Sequence, residues 1–501
     1  MKRKSTRPDQ PLRLQDHRRP VSRREFLAQG FITGAGMVMA PTFLSLMRAS
    51  TARAQTAGCV LRAGAGLIPF LCLDLAGGAS IAGSNVLVGG PGGQLDLLTG
   101  EGYTKLGLPS GMTPGNPGQV NTELGIAFHS DSAFLRGILT KTSAATRANV
   151  NGAIFCSRSD NDTSNNPLNP MYGINRAGAD GELVTLIGSQ SSESGGNSEA
   201  PPSQMDPTKR PTKIDSARDA TGLIDTGNLV SLLNQTQAGQ VARAAEEISA
   251  IKLAHENEDP ALEAQVLCNY TQTTDLIGRF GNPNVVNPML DADIATGAGG
   301  VTPIFSAAEL NQERFRKTAA VMKLVVEGFA GAGTIEQGGY DYHDSTRATG
   351  EVRDFLAGQM MGAMLEFAAR RATPLMLYVL SDGSLASDGT LDMSPDGRGK
   401  GVWRGDNSDT AGALILVYNP GTVRPALTRA TANQIGYFRP QGSVETASSR
   451  VANNPTLLTE AVVLNYLALH NRVGDFSSVL PMNGLGSGAS FDQLIAFQPL
   501  T

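Results

Sequence analysis

The chain is 501 residues long, with 41 basic and 46 acidic side chains and a formal net charge of −5. An acidic balance of this kind excludes a nucleic-acid role built on a basic surface, because phosphate contacts need clustered Lys and Arg. Hydrophobic residues at 41% supply a real core and exclude wholesale disorder, and 58 glycines with few aromatics point to long loops over a compact scaffold rather than to collagen or coiled coil.

Ser22-Arg23-Arg24-Glu25-Phe26-Leu27 opens an apolar stretch from Phe31 to Met47 that closes on Ala52-Arg53-Ala54. A basic region, a modest apolar core and a small-residue cleavage site predict a twin-arginine export signal over residues 1–54. That signal predicts a periplasmic or secreted protein, with the twin-arginine translocase as its partner during export. The other reading is a retained membrane anchor, since seventeen apolar residues are near the lower limit for a span. Gly34, Gly36 and Pro41 weaken such a span, so no stable membrane segment is expected after cleavage. Loss of residues 1–54 leaves 30 basic and 43 acidic residues, a net charge of about −13.

The four cysteines, Cys59, Cys72, Cys156 and Cys268, are too widely spaced for a compact zinc cluster. Cys59 lies too far past the apolar region to read as a lipid-attachment site. Cys72 and Cys156 sit in apolar runs and read as buried inert thiols. An oxidising compartment permits disulfides, and the pairing stays open.

Residues 55–501 read as one α/β domain. Leu67 to Leu75 is a continuous apolar run of strand length ending in Ala76-Gly77-Gly78, and Ala153–Cys156, Leu375–Leu380 and Ala413–Tyr418 are runs of the same kind. Thr346 to Arg371 places Val352, Phe355, Leu356, Met360, Ala363, Met364 and Phe367 at helical spacing and leads into the strand at Leu375. This alternation predicts a mostly parallel central sheet with helices on both faces. Residues 190–300 interrupt it. Ser189 to Thr221 reads as a long surface loop, and Leu223 to about Gly281 as a helical insert with Val230, Leu232, Leu233, Val241, Ala244, Ile248 and Leu253 on a broken apolar stripe. A second polar stretch, Ser381 to Asp409, is crowded with Gly and Asp.

Ligands in α/β sheets collect beyond the carboxyl ends of the strands. There the sequence places Asp74, then Asp341, His343 and Asp344, then Asp382, then Asp406 and Asp409. Each alone reads as a helix cap or a solvated loop acid. Together, Asp74, Asp341, His343, Asp382 and Asp406 form an oxygen and imidazole set suited to a divalent ion such as Zn, Mn, Mg or Ca. Asp341 and His343, two apart in an extended segment, point to the same face. In the bland alternative, Asp341 caps a helix beginning near Ser345 and His343 packs beside Tyr340.

The order of a helix from Gln312, the Gly338-Gly339-Tyr340-Asp341-Tyr342-His343 motif, a second helix, a strand and Ser381-Asp382-Gly383 resembles a family of twin-arginine-exported bacterial proteins. That family is related to sulfatases within the alkaline phosphatase superfamily, and its hallmark is Gly-Gly-Trp-Asp-x-His. The resemblance covers most of residues 65–481 and implies an alkaline-phosphatase-like fold with a helical insert. It also implies a metal-dependent phosphate or sulfate ester hydrolase, with Ser80, Thr163 or a metal-bound water as the attacking group. The chain departs from the pattern at Ser381-Asp382-Gly383-Ser384, where the family has Glu-Phe-Gly-Arg, and at Gly405-Asp406-Asn407, where it has Asp-His-Gly. A third departure is Cys156 to Asp162, where a Ser-His-Phe segment is expected. These departures imply a partly degenerate site and leave open an inactive hydrolase-fold protein acting as an envelope binding or assembly factor. Other motifs fail: Gly64-Ala65-Gly66 and Gly89 to Gly93 lack the context of nucleotide loops, Cys156-Ser157-Arg158 is not a formylglycine sequence, and no Gly-x-Ser-x-Gly elbow or zincin helix occurs.

Overall fold

The computed structural model describes residues 66–159, 168–189, 200–224, 235–253, 260–280, 282–421 and 423–500. The export signal at 1–54, Cys59, Thr163, Asp160 and Asp162, residues 190–199 of the polar loop, Val230, Leu232 and Leu233, and His255 lie outside the described residues. No helix among the described residues is long and apolar enough to cross a membrane.

The described residues fall into two compact units. The larger is built on twelve strands: β1 (Phe70–Ala76), β2 (Val120–Asn121), β3 (Phe128–His129), β4 (Val150–Phe155), β5 (Val184–Gly188), β6 (Thr212–Lys213), β7 (Ala330–Gly338), β8 (Leu375–Leu380), β9 (Leu385–Leu391), β10 (Gly401–Asp406), β11 (Ala413–Tyr418) and β12 (Gln434–Ile435). Eight of them form one sheet in the order β12-β4-β11-β8-β1-β7-β5-β6. Only β11 runs against the rest, antiparallel to both β4 and β8. The sheet is therefore mixed but mostly parallel, and the runs beginning at Leu67, Leu375 and Ala413 share it as expected.

Period-two burial explains how both faces are covered. On one face Phe70, Cys72, Met376, Tyr378, Ile415 and Val417 join a core with the helix Pro455–Leu469. Their neighbours Leu71, Leu73, Leu377, Val379, Leu414 and Leu416 are equally buried and face the opposite way, toward the helices Glu313–Val326 and Ala348–Arg370. Each such aliphatic side chain withdrawn from water stabilises the fold by about 1.5–3 kcal/mol before entropy is counted. In the helix Ala348–Arg370, Met360, Ala363, Met364 and Phe367 are buried as their spacing predicts, whereas Val352, in the first turns, is exposed.

Two differences from the sequence reading have physical causes. β7, Ala-Gly-Ala-Gly-Thr-Ile-Glu-Gln-Gly, is not among the apolar runs read as strands, yet it is central and pairs with β1 and β5. Its glycines are required by close approach: a Cβ on Gly331 would meet Ala179 O at 2.6 Å, and one on Gly333 would meet Val321 and Val325 of the covering helix at 2.8 Å. The stretch read as surface loop also contains β6, which lengthens the sheet beside β5.

The second unit comprises the helices Gln235–Leu253 and Pro260–Phe280. Ala238, Ala242, Ala245 and Ile277 form its core with Tyr270 packed against them. The buried stripe thus runs through alanines rather than through Val241, Ala244 and Ile248, because small residues let two helices approach closely. Cys268 is disulfide-bonded, while Cys72 and Cys156 are free and buried.

Candidate metal centre

The site is built on the turn that leaves β1. Gly77 and Gly78 have φ of +124° and +116°, values that an L side chain rarely adopts. Asp382 Oδ1 accepts the Gly77 N–H at 2.6 Å, Ser381 Oγ accepts the Gly78 and Ala79 N–H groups at 3.2 and 2.7 Å, and Ser381 Oγ donates to Leu75 O at 2.7 Å. The first two residues after β8 therefore fix the first three after β1. A Cβ on Gly77 would fall 2.5 Å from Asp341 N, so the Asp341 backbone lies directly on this turn. Tyr340 N donates to Ala76 O at 3.1 Å and keeps the motif in line with β7.

Asp406 arrives from the other side. Trp403 N donates to Thr346 O and Ser345 N donates to Trp403 O, both at 3.1 Å, so β10 is stitched to the segment just after His343. Trp403 itself is fully buried beneath the Arg347 guanidinium, 4.4 Å from the ring centre. That pairing brings the end of β10, and with it Asp406, within reach of His343. Asp341, His343 and Asp406 each present one ligand atom within 4.8 Å of the others. His343 Nε2 is 2.7 Å from Asp341 Oδ1 and 3.4 Å from Asp406 Oδ2, and the three side chains are 38%, 60% and 35% exposed in the order His343, Asp341, Asp406.

The donor chemistry fits a divalent ion. Metal–ligand bonds of about 2.0–2.2 Å in tetrahedral geometry separate neighbouring ligand atoms by roughly 3.3 Å, close to the His343–Asp406 distance. Two carboxylates and one imidazole suit Zn or Mn better than the all-oxygen shells of Ca and Mg. The exposure leaves the group open to solvent.

Asp74 and Asp382 reach the same edge of the sheet but stand outside this group. Both are fully buried, Asp74 opposite Leu380 on β8 and Glu336 on β7, and Asp382 in its bond to Gly77. Glu336, buried beside Asp74, escaped the sequence reading because the glycines of β7 hid the strand that carries it. Asp341 is not a helix cap. Asp344 accepts the Thr346 N–H at 3.1 Å, and Asp392 accepts the Arg347 and Ala348 N–H groups at 2.8 and 3.1 Å. Asp409 pairs with Arg158 at 2.5 Å.

Two further histidines are structural. His129 Nε2 donates to Met112 O at 2.8 Å while Nδ1 accepts from Asp131 N at 3.1 Å, and burial, with Lys400 nearby, pulls its pKa down to about 4. His470 accepts from Ile68 N and donates to Tyr466 O, and burial lowers its pKa. Both are therefore neutral and already bonded at each nitrogen.

Behind the motif lies a buried network that the sequence reading missed. Tyr342 Oη accepts the Ser80 N–H at 3.0 Å and donates to Asp354 Oδ1 at 2.8 Å, and Asn85 Nδ2 bonds both Ser80 O and Asp354 Oδ2, at 2.9 and 2.7 Å. Burial raises the Asp354 carboxyl to about 7 against these bonds. Ser80 Oγ is fully buried and has no hydrogen-bond partner among the described residues. Its backbone serves as a joint between the β1 turn and the motif. No family model, curated protein or solved structure matches the chain.

Proposed function

We propose that the protein is an exported metal-dependent hydrolase of phosphate or sulfate esters, on an alkaline-phosphatase-like scaffold, working through a single-ion centre of Asp341, His343 and Asp406. The observation that carries this reading is the meeting of an imidazole and a carboxylate from the segment after β7 with a second carboxylate at the end of β10. A bound divalent ion supplies Lewis acidity toward an ester oxygen and acidifies water near neutral pH. The chain's own part is to fix the ligands. Asp382 and Ser381 set the turn against which Asp341 rests, and the Trp403 pairing sets Asp406 against His343. Ser80 acts through its backbone in this reading, because its hydroxyl is sealed from solvent.

One observation favours a second reading, a hydrolase-fold protein that binds without turnover. Arg158 and Asp409 neutralise each other in the region where the resemblance expects a further histidine ligand. Titration of the exported protein with Zn²⁺ and Mn²⁺, beside aryl phosphate and aryl sulfate assays, separates the two. The hydrolase reading expects one ion per chain, lost in Asp341→Asn and in His343→Ala, with turnover of one ester class. Ion binding without turnover favours the second reading, and a wild-type chain that binds neither ion overturns the metal centre itself.

A further inference from the structure

The two segments that carry the candidate ligands meet a second time, on a buried carboxylate. Glu351 lies in the first turn of the helix Ala348–Arg370. Its Oε1 accepts from Arg347 Nε at 3.0 Å and from Lys400 Nζ at 2.8 Å, and its Oε2 accepts from Arg136 Nη2. Arg347 stands four residues beyond His343, and Lys400 immediately precedes β10, six residues before Asp406. Glu351, Arg347 and Lys400 are each at most 3% exposed. Lys400 Nζ also donates to Asp131 O, and Arg347 Nη2 to Ser84 Oγ, both at 2.7 Å. Burial by itself would raise the Glu351 carboxyl, but Arg347, Lys400 and Arg136 outweigh it and hold the group below the usual carboxylate range.

The connection has a mechanical reason. β10 pairs with β9, but that ladder shifts register on both sides of Trp403, once between Gly401 and Trp403 and again between Trp403 and Gly405. So irregular a pairing does not alone dictate where the end of β10, and Asp406 with it, comes to lie. The backbone bonds of Trp403 to Ser345 and Thr346 hold the middle of the strand. The Lys400–Glu351–Arg347 bridge holds its start, and two fixed points set a direction where one would leave a pivot. A buried bridge of this kind is stiff, because breaking it strands a charge away from water. The packing around it has little slack: a Cβ on Gly107 would fall 2.8 Å from the Trp403 ring.

We propose that Glu351 is a positioning residue of the candidate metal centre, a buried post that clamps Lys400 and Arg347 and so holds Asp406 against Asp341 and His343. The proposal rests on the metal centre of the hydrolase reading, to which it adds a residue that touches no ion. Glu351 acts through its two cations: one fixes the strand that ends in Asp406, the other the helix start that follows His343. Ligand atoms must keep their places to about 0.2 Å, so loosening either arm is felt at the ion.

The test titrates the full exported chain with Co²⁺, which takes the same ligands as Zn²⁺ and whose visible absorption reports the geometry around it. Glu351→Gln and Lys400→Met are expected to weaken Co²⁺ binding about tenfold or more and to change the intensity of the visible band, and Lys400→Arg to recover part of both. Should Glu351→Gln fail to fold, Lys400→Met, which leaves Glu351 paired with two arginines, decides by the same readouts. Lys323→Met is the control for stability alone. Lys323 is equally buried and bonded to Asp291 and Glu327 at 2.7 and 2.8 Å, but it sits in the last turn of the helix Glu313–Val326, near the start of β7. It should lower the denaturant midpoint as Lys400→Met does and leave Co²⁺ affinity and spectrum as in wild type. Wild-type affinity and spectrum in the folded Lys400→Met protein, or an equal loss in Lys323→Met, overturns this inference and leaves the metal centre standing. A wild-type chain that binds no Co²⁺ overturns both.

Discussion

Replacing Gly77 by Ala tests the construction of the site most directly, because a single methyl group is aimed at the Asp341 backbone. Gly77 sits at φ +124°, where an L residue is strained by about 1–3 kcal/mol. The new Cβ would also lie 2.5 Å from Asp341 N and 3.1 Å from Asp341 Cβ. Ordinary contact needs about 3.5 Å, so the Asp341 peptide must retreat by roughly 1 Å. Metal ligands tolerate displacements of only about 0.2 Å. The expected result is a stability loss of about 2–4 kcal/mol with a fall of tenfold or more in Mn²⁺ or Zn²⁺ affinity. Gly338→Ala is the matched control: a Cβ there meets nothing within 4 Å and its φ is ordinary, so stability should change by less than about 0.5 kcal/mol. Denaturant unfolding and calorimetric metal titration of both variants provide the readout. A Gly77→Ala protein that unfolds and binds metal like wild type, or a Gly338→Ala protein damaged as badly, would refute the claim that the β1 turn positions Asp341.

Asp354 gives a pH signature. Its carboxyl is raised to about 7 by burial, so between about pH 4 and pH 7 the folded chain keeps a proton that the unfolded chain has lost, and stability falls as pH rises through that window, by up to about 4 kcal/mol. Asp354→Asn should remove this part of the slope, read as the difference between wild-type and variant unfolding free energies across the window, and identical slopes would count against it. Burial raises both the Cys72 and the Cys156 thiols, so neither should react with an aromatic disulfide reagent until the chain unfolds. Rapid labelling of either in native protein would contradict the packing described for β1 and β4.

The elements legible in the sequence were those whose side chains alone do the packing. Leu375–Leu380 and Ala413–Tyr418 coincide with β8 and β11 residue for residue, because an unbroken apolar run has nowhere to go but between two covered faces. β7 was illegible for the opposite reason: its glycines mark close approach by the Glu313–Val326 helix and the Ala179 backbone, which no local pattern reveals. The direction of β11 was hidden too, since a strand buried on both faces reads the same in either orientation.

The site divides along a comparable line. Asp344, Asp388 and Asp392 are each followed two residues on by Thr or Ser and accept that residue's N–H, at 3.1, 2.9 and 2.9 Å. Such acids are consumed by their own turns. Asp341 is followed at that spacing by His343, which turns its imidazole back onto it. The spacing does not identify Asp406, which has Ser408 two residues on. What selects Asp406 is the pairing of Trp403 with Ser345 and Thr346, a contact between segments that the helix Ala348–Arg370 and β8 separate along the chain. Ser345 meets this pairing at φ +61°, unusual for a residue with a side chain, and strain of that kind persists where surrounding bonds over-determine the backbone. The left-handed residue turns the chain from the His343 segment toward its helix, and the bonds of Ser345 and Thr346 to Trp403 hold it there. The ligand set is thus a property of how two loops are stitched together, which explains why the sequence named its members but also named Asp74 and Asp382, whose carboxylates are buried in the frame on which those loops rest.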